Sequence, residues 1–150
     1  MEFNVTFKIN KNIEDESINI NIESAKQDAQ VDKLIDYINK YDNTIIGKVD
    51  NKLVKIQYSE IRYFFCKDKE IFCKTKEKEY KVKSRLYELE KLDKDFIRVS
   101  KKYIVNFNHA KCFDMGIIGK IVIELDNNEF VTVSRRRIKD VIEYLDERSI

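Results

Sequence analysis

The chain has no proline, a single histidine and an odd number of cysteines, three, among its 150 residues. The missing proline goes with the absence of any low-complexity linker, and no internal repeat is visible. One histidine leaves little for catalysis or metal binding. His109 and Cys112, with Cys66 and Cys73, could supply a Cys3His zinc site, but their spacing resembles no CxxC ribbon. His109 could act as a base toward a cysteine, yet no nucleophile loop accompanies it. The cysteines sit in apolar strand contexts and are expected as buried, reduced thiols. No cofactor, no metal and no enzymatic activity are therefore expected. No apolar run approaches the roughly 18 residues of a membrane span. Met1-Glu2-Phe3-Asn4 lacks the basic start and apolar core of a signal peptide, so a cytoplasmic protein is expected.

What is present is enough for a core: 43% of residues are hydrophobic and 11% aromatic. Charge is abundant but unevenly placed. Residues 1–50 hold 6 Lys/Arg against 10 Asp/Glu, net −4, while residues 51–150 hold 23 against 17, net +6. A basic excess confined to the last hundred residues is the electrostatic footprint of a polyanion binder.

Periodicity divides the chain at about residue 43. Phe3, Val5, Phe7 and Ile9 alternate with polar residues, as do Ile18, Ile20 and Ile22, which predicts two strands joined by a turn over Lys11 to Glu16. Ser24 can cap a helix whose apolar face is Val31, Leu34, Ile35 and Ile38. Residues 1–43 are thus expected as a β-β-α segment, too small to stand alone. It must bury its apolar face on the rest of the chain or on a second copy.

Residues 44–150 alternate through short strands. Thr44–Lys48 and Leu53–Ile56 flank an Asp50-Asn51 turn. Ile61, Tyr63 and Phe65 are placed on one face of the next strand and Phe64 and Cys66 on the other, so that strand is expected to be interior. Lys67-Asp68-Lys69 and Lys76-Glu77-Lys78 turn the chain. Ser84 is expected to cap a short helix over 85–92. A hairpin carries Gly116 and Gly119, and Asp126-Asn127-Asn128 leads to a last strand at Phe130–Val133. Ser134 is expected to cap a final helix with core face Ile138, Val141, Ile142 and Leu145.

Two basic clusters interrupt this frame. Phe96–Val99 and Tyr103–Phe107 are apolar, but Ser100-Lys101-Lys102 between them is polar, which predicts a surface loop held by rigid strands. Arg135, Arg136 and Arg137 fall in the first turn after Ser134. The helix dipole disfavours basic residues there by about 0.3–1 kcal/mol each, whereas free N–H groups at a helix start attract anions. Three arginines at that place make sense if an anion binds. Arginine can grip a phosphate or a guanine edge with two parallel bonds. A third basic stretch runs from Lys74 to Arg85.

Phe96-x-Arg98-x-x-x-x-Tyr103-Ile104-Val105-Asn106, followed by an apolar hairpin and Val133-Ser134-Arg135-Arg136, resembles the LytTR family of bacterial DNA-binding domains over roughly residues 44–146. The resemblance implies a mainly β fold: an elongated arrangement of small sheets with a short internal helix and a C-terminal helix. It also implies transcriptional regulation through double-stranded DNA, with repeated half-sites and a homodimer at least on DNA. Carried over by position, its contacts fall on Lys76, on Lys101 with Lys102 beside it, and on Arg136. Arg85, Ser134, Arg135 and Arg137 join them as candidate DNA-binding residues. Family members often carry a His-Arg-Ser-like triplet where this chain has Ser100-Lys101-Lys102. Lysine lacks the planar fork of arginine, so phosphate contact is expected of both lysines. Arg98, Tyr103 and Asn106 are expected in structural roles: an ion pair, packing with the hydroxyl outward, and satisfaction of backbone groups near the loop. The 43 residues before the domain are far short of a receiver, so no phosphorylation switch in cis is expected. Restraint by a small membrane protein is a further implication of the resemblance alone. The rival expectation is a protein-interaction module, with the N-terminal segment dimerising and the basic face meeting an acidic protein. An RNA reader would expose its aromatics for stacking, whereas Tyr63, Phe65 and Phe72 lie in core alternation.

Overall fold

A computed structural model describes residues 4–13, 18–40 and 43–149. The chain divides into two compact units, residues 1–41 and residues 42–150. In the first unit the only regular element among the described residues is helix α1, Ala29–Lys40. It starts four residues later than a cap at Ser24 predicts. Asp28 caps it, accepting from Gln30 N–H and Val31 N–H at 3.1 Å each, while Ser24 closes a local turn with Lys26.

The two strands expected before α1 are not formed. Residues 4–10 and 18–24 join no ladder. Val5, Phe7 and Ile18 are 92%, 85% and 86% exposed. Phe3 and the second half of the expected turn lie outside the described residues, while residues 11–13 do turn. Alternation supplies a strand's faces but not its partner, and a lone two-stranded hairpin is marginal in water.

The second unit is mainly β. Its strands are β1 (Thr44–Val49), β2 (Lys52–Gln57), β3 (Tyr63–Lys67), β4 (Glu70–Lys74), β5 (Glu79–Val82), β6 (Phe96–Arg98), β7 (Tyr103–Asn106), β8 (Ala110–Asp114), β9 (Ile121–Leu125) and β10 (Phe130–Val133); helix α2 is Leu86–Leu89 and α3 is Ile138–Arg148. The strands pair antiparallel in two sheets, one of seven in the order β2-β1-β5-β4-β3-β7-β6 and one of three in the order β10-β9-β8. The seven are held together through one pair, Lys48 opposite Lys81, where β1 meets β5.

The turn chemistry explains the hairpins. Asp50, Asp68, Lys69 and Asn128 take left-handed φ of 53°, 53°, 64° and 64°. Two consecutive left-handed residues at 68–69 make the primed turn whose twist suits a two-residue hairpin. Gly47 is required by close approach. A Cβ there would lie 2.5 Å from Ile56 Cδ1 and 2.7 Å from Tyr80 Cβ.

As expected, β3 is interior, between β4 and β7, and both of its faces are covered. On one side Phe64 packs with Ile56, Cys73, Val82, Leu86, Leu89, Phe96 and Ile104. Ile61 belongs to this cluster, not to the face of Tyr63 and Phe65; it caps the 3-10 turn of Tyr58–Glu60 and lies before β3 begins, so strand alternation does not extend to it. On the other side Tyr63, Phe65 and Val105 meet Ile121, Ile123, Leu125, Val131 and Val133 of the small sheet, and Val141 of α3. Along α3, Ile142 is 40% exposed and Tyr144 takes the core position in its stead. Helix α2 is capped at Arg85, one residue beyond Ser84, with the Glu88 carboxylate accepting from Arg85 N–H at 3.2 Å.

Candidate nucleic-acid interface

The loop between β6 and β7 is bound into a fixed turn. Ser100 Oγ accepts from Lys102 N–H at 3.2 Å and Tyr103 N–H at 3.1 Å. Arg98 was expected in an ion pair. Its guanidinium instead donates to two loop carbonyls, Ser100 O at 2.8 Å and Lys101 O at 2.7 Å. Cys66 N–H donates to Lys102 O at 2.9 Å, which anchors the loop to the end of β3. Lys101 and Lys102 stand exposed on this braced turn, so their backbone is ordered before any ligand arrives.

The same loop receives the second cluster. Ser134 N–H donates to Val99 O at 2.8 Å, fastening the end of β10 beside it. Ser134 has extended backbone and stands before a 3-10 turn over Arg135–Arg137 without a side-chain cap bond; the α-helix proper begins at Ile138, so Ser134 does not cap it and the arginines precede its first turn. Arg135 and Arg136 are exposed, and Arg137 pairs with Asp140 at 3.5 Å. Helix α3 is moored behind them. Tyr144 donates its hydroxyl to Asp95 Oδ1 at 2.6 Å, and burial followed by that bond pushes its phenol up to about 12. Asn108 Nδ2 donates to the other oxygen of Asp95 at 3.0 Å, and the Arg148 guanidinium lies 3.5 Å over the Tyr144 ring.

The outcome is a cleft of about 630 Å³ whose lining includes Lys101, Lys102, Ser134 and Arg136. Two clusters separated by some thirty positions in sequence thus share one surface. Ser100, Tyr103, Phe130, Val131 and Thr132 complete the cleft. Phe130 and Thr132 point outward because Val131 and Val133 fill the core, an alternation visible in the sequence. Tyr103 stacks on Phe65 at 6.0 Å with planes 17° apart, as packing required.

Lys76 and Arg85 fall at opposite ends of the β4–β5 hairpin. Arg85 follows β5 at the end where Ile71 pairs with Val82, the end that also holds the Lys67–Lys69 turn and the loop of Lys101. Lys76 lies past the other end, in a cleft with Lys55, Arg62 and Lys78. The length of β4 separates them, about 15 Å at 3.3 Å per residue.

Asn106 does satisfy backbone groups, but away from the loop: its Nδ2 donates to Ile61 O at 2.9 Å and Tyr58 O at 3.3 Å. His109 is engaged structurally, with Asp126 Oδ2 at 2.6 Å from Nδ1 and Ser59 O at 2.5 Å from Nε2. Arg62 Nε reaches the same carboxylate at 3.1 Å. Burial pushes the Asp126 carboxyl up, but the His109 and Arg62 bonds outweigh it and hold it below its ordinary value. The thiols are less uniform than expected. Cys73 is buried and raised to about 12, by burial first and then by Glu60; Cys66 is half-buried and Cys112 exposed. Among the described residues no helix is long and apolar enough to cross a membrane.

Comparison with known proteins agrees with this architecture. No curated protein matches the chain. Among solved structures, the LytTr DNA-binding domain of a putative methyl-accepting/DNA response regulator from Bacillus cereus is similar. It is 27% identical with a TM-score of 0.66, over 69% of this chain and 96% of that one. Residues 51–146, which hold nine of the ten strands and nearly all of α3, match the LytTr DNA-binding domain family. By that match, the chain belongs to the LytTr DNA-binding domain family.

Proposed function

We propose that the protein is a transcriptional regulator that binds double-stranded DNA sequence-specifically, placing its basic loops against the major groove and backbone. The observation that carries this reading is the shared cleft of Lys101, Lys102, Ser134 and Arg136. Arg136 is exposed on a turn before α3 and can form two parallel bonds to guanine O6 and N7. Lys101 and Lys102, as point donors, hold phosphate. Arg135 and Arg85 extend the basic surface at the same end of the sheet, and Lys76 marks its far end. Arg137, tied to Asp140, contributes least. A duplex that touches both ends lies along the strands.

Arg136→Ala is expected to cost about 1–3 kcal/mol and to flatten preference at one base position. Lys102→Ala should weaken all sequences alike and lower the slope of log K against log salt by about one. Binding of each variant to single-base changes of a selected duplex checks both. Equal loss on every duplex for Arg136→Ala would reassign that residue to phosphate.

The N-terminal unit supports a second role, self-association of the regulator on repeated half-sites. It leaves Val5, Phe7 and Ile18 uncovered, which is unfavourable unless another surface meets them. Deleting residues 1–41 should leave a folded domain that binds one half-site and no longer dimerises on DNA. A deletion that unfolds the remainder would make the segment part of the core instead.

A further inference from the structure

The seven-stranded sheet has one face only half covered. A single row of directly opposed residues crosses it: Tyr103, Phe65, Phe72, Lys81, Lys48 and Leu53, on β7, β3, β4, β5, β1 and β2. The three-stranded sheet packs on the aromatic end of this row. Beyond Phe72 the row turns cationic. Lys74 lies on the same face as Phe72, Lys55 is opposite Ile46 in step with Lys48, and Lys83, just past the end of β5, lines one cavity with Ile46, Lys48, Leu53 and Lys81.

Lys48 and Lys81 sit directly opposite each other across the one pair that joins β1 to β5. Like charges so placed destabilise a ladder. Lys81 is relieved by Glu70 at 2.7 Å, and Lys74 is 4.0 Å from Glu129. Lys48, Lys55 and Lys83 have no carboxylate partner among the described residues, and all three are exposed. Lys83 leads directly to Ser84 and Arg85, so the lysine face continues into the basic end of the sheet.

We propose that this uncovered face is a second, sequence-independent contact for the sugar-phosphate backbone of the same duplex, with Lys48 and Lys83 as its principal phosphate donors. It rests on the DNA-binding reading above. A phosphate beside Lys48 offsets the charge that the fold, having paired Lys81 with Glu70, leaves unpaired at this crossing. Ile46 and Leu53, 52% and 73% exposed between the lysines, offer apolar contact to deoxyribose. Continuity with Arg85 and the Lys101 loop favours the nucleic acid over an acidic protein, because one polyanion then covers every basic element at that end. The face carries no sequence information, since lysine reaches phosphate as a point charge.

The test uses the full chain and the duplex it selects from random sequence. Lys48→Gln/Lys83→Gln should lower affinity equally for the selected duplex and its single-base variants. The slope of log K against log salt should fall by about two, at roughly 0.9 per phosphate. Lys48→Gln alone should melt no earlier than the wild type, because it removes the cross-strand repulsion. Lys48→Arg/Lys83→Arg should restore affinity and slope. Unchanged affinity and slope in the Gln variant would overturn the proposal, as would loss confined to particular base variants, early melting, or failure of the Arg pair to rescue. A wild type that selects no duplex at all would instead overturn the functional reading on which the proposal rests.

Discussion

Two halves of one sheet face teach most about this molecule. Phe65 and Lys48 belong to the same row across the same sheet, three strands apart, yet one is 8% exposed and the other lies open. The difference is what lies above. Over Phe65 the small sheet supplies Ile121, Ile123, Leu125, Val131 and Val133, so aromatic area leaves water and stabilises the fold by about 25 cal/mol per Å². Over Lys48 none of the described residues of this unit supplies a cover, and the residues there are ones whose charge stays hydrated. The covered half makes the core of the domain, and the open half is the face proposed above to meet the duplex.

The sharpest way to break that contrast is to cut the same row in both halves. Phe65 stacks on Phe72 at 5.5 Å and on Tyr103 at 6.0 Å. Phe65→Ala should cost about 3–5 kcal/mol, the loss of a large buried ring plus the cavity left behind. Leu53→Ala, at the open end of the row, should change stability by no more than about 0.5 kcal/mol. Denaturant unfolding of both variants measures this. A large loss at Leu53 would mean that the open half is covered in solution.

The seam between the halves gives the next largest effect. Because β1 and β5 share a single ladder pair, their association depends on how closely the backbones approach. Gly47→Ala puts a methyl within 2.7 Å of two side chains, Ile56 and Tyr80. Overpacking of that kind should cost about 1–3 kcal/mol. If the β1–β2 hairpin is held mainly through this seam, hydrogen exchange should quicken over residues 44–57 before it does over β3. Uniform quickening would show one cooperative unit instead.

How much of this was legible follows from whether the cause is local. Strand positions from Thr44 to Val133 and the turns at Asp50, Asp68 and Asn128 follow from alternation and from residues that tolerate left-handed backbone. Placing Lys101 and Arg136 at one surface followed from the resemblance, and the bond from Ser134 N–H to Val99 O accomplishes it. What failed was partner choice. Val5 to Ile9 alternates as well as Phe130 to Val133 does, but only the second has a ladder to join. Ile142 fits the helical stripe as well as Ile138, yet it stays 40% exposed while Tyr144 turns inward to Asp95. The opposition of Lys48 and Lys81 is least legible of all, since no local signal pairs strands 33 residues apart.

The smallest effect expected lies at the rim of the covered half, where polar bonds fix how the small sheet meets the large one. Asp126, in the turn between β9 and β10, accepts from Arg62 and His109, and His109 also reaches the Ser59 carbonyl. Its carboxyl is held below the ordinary value by those bonds. A carboxyl whose folded value is depressed stabilises the fold above its unfolded value, and loses that contribution as pH falls through the folded one. Asp126→Asn should therefore melt slightly earlier than the wild type at neutral pH. The gap should close as pH drops below the ordinary carboxylate range of about 3.9. Because the Asp126 side chain is 41% exposed, solvent screens the pair and the gap stays small. Melting curves of the two proteins across that range decide it. A gap that persists unchanged into acid would place the stabilisation in packing of the turn and not in the carboxylate's charge.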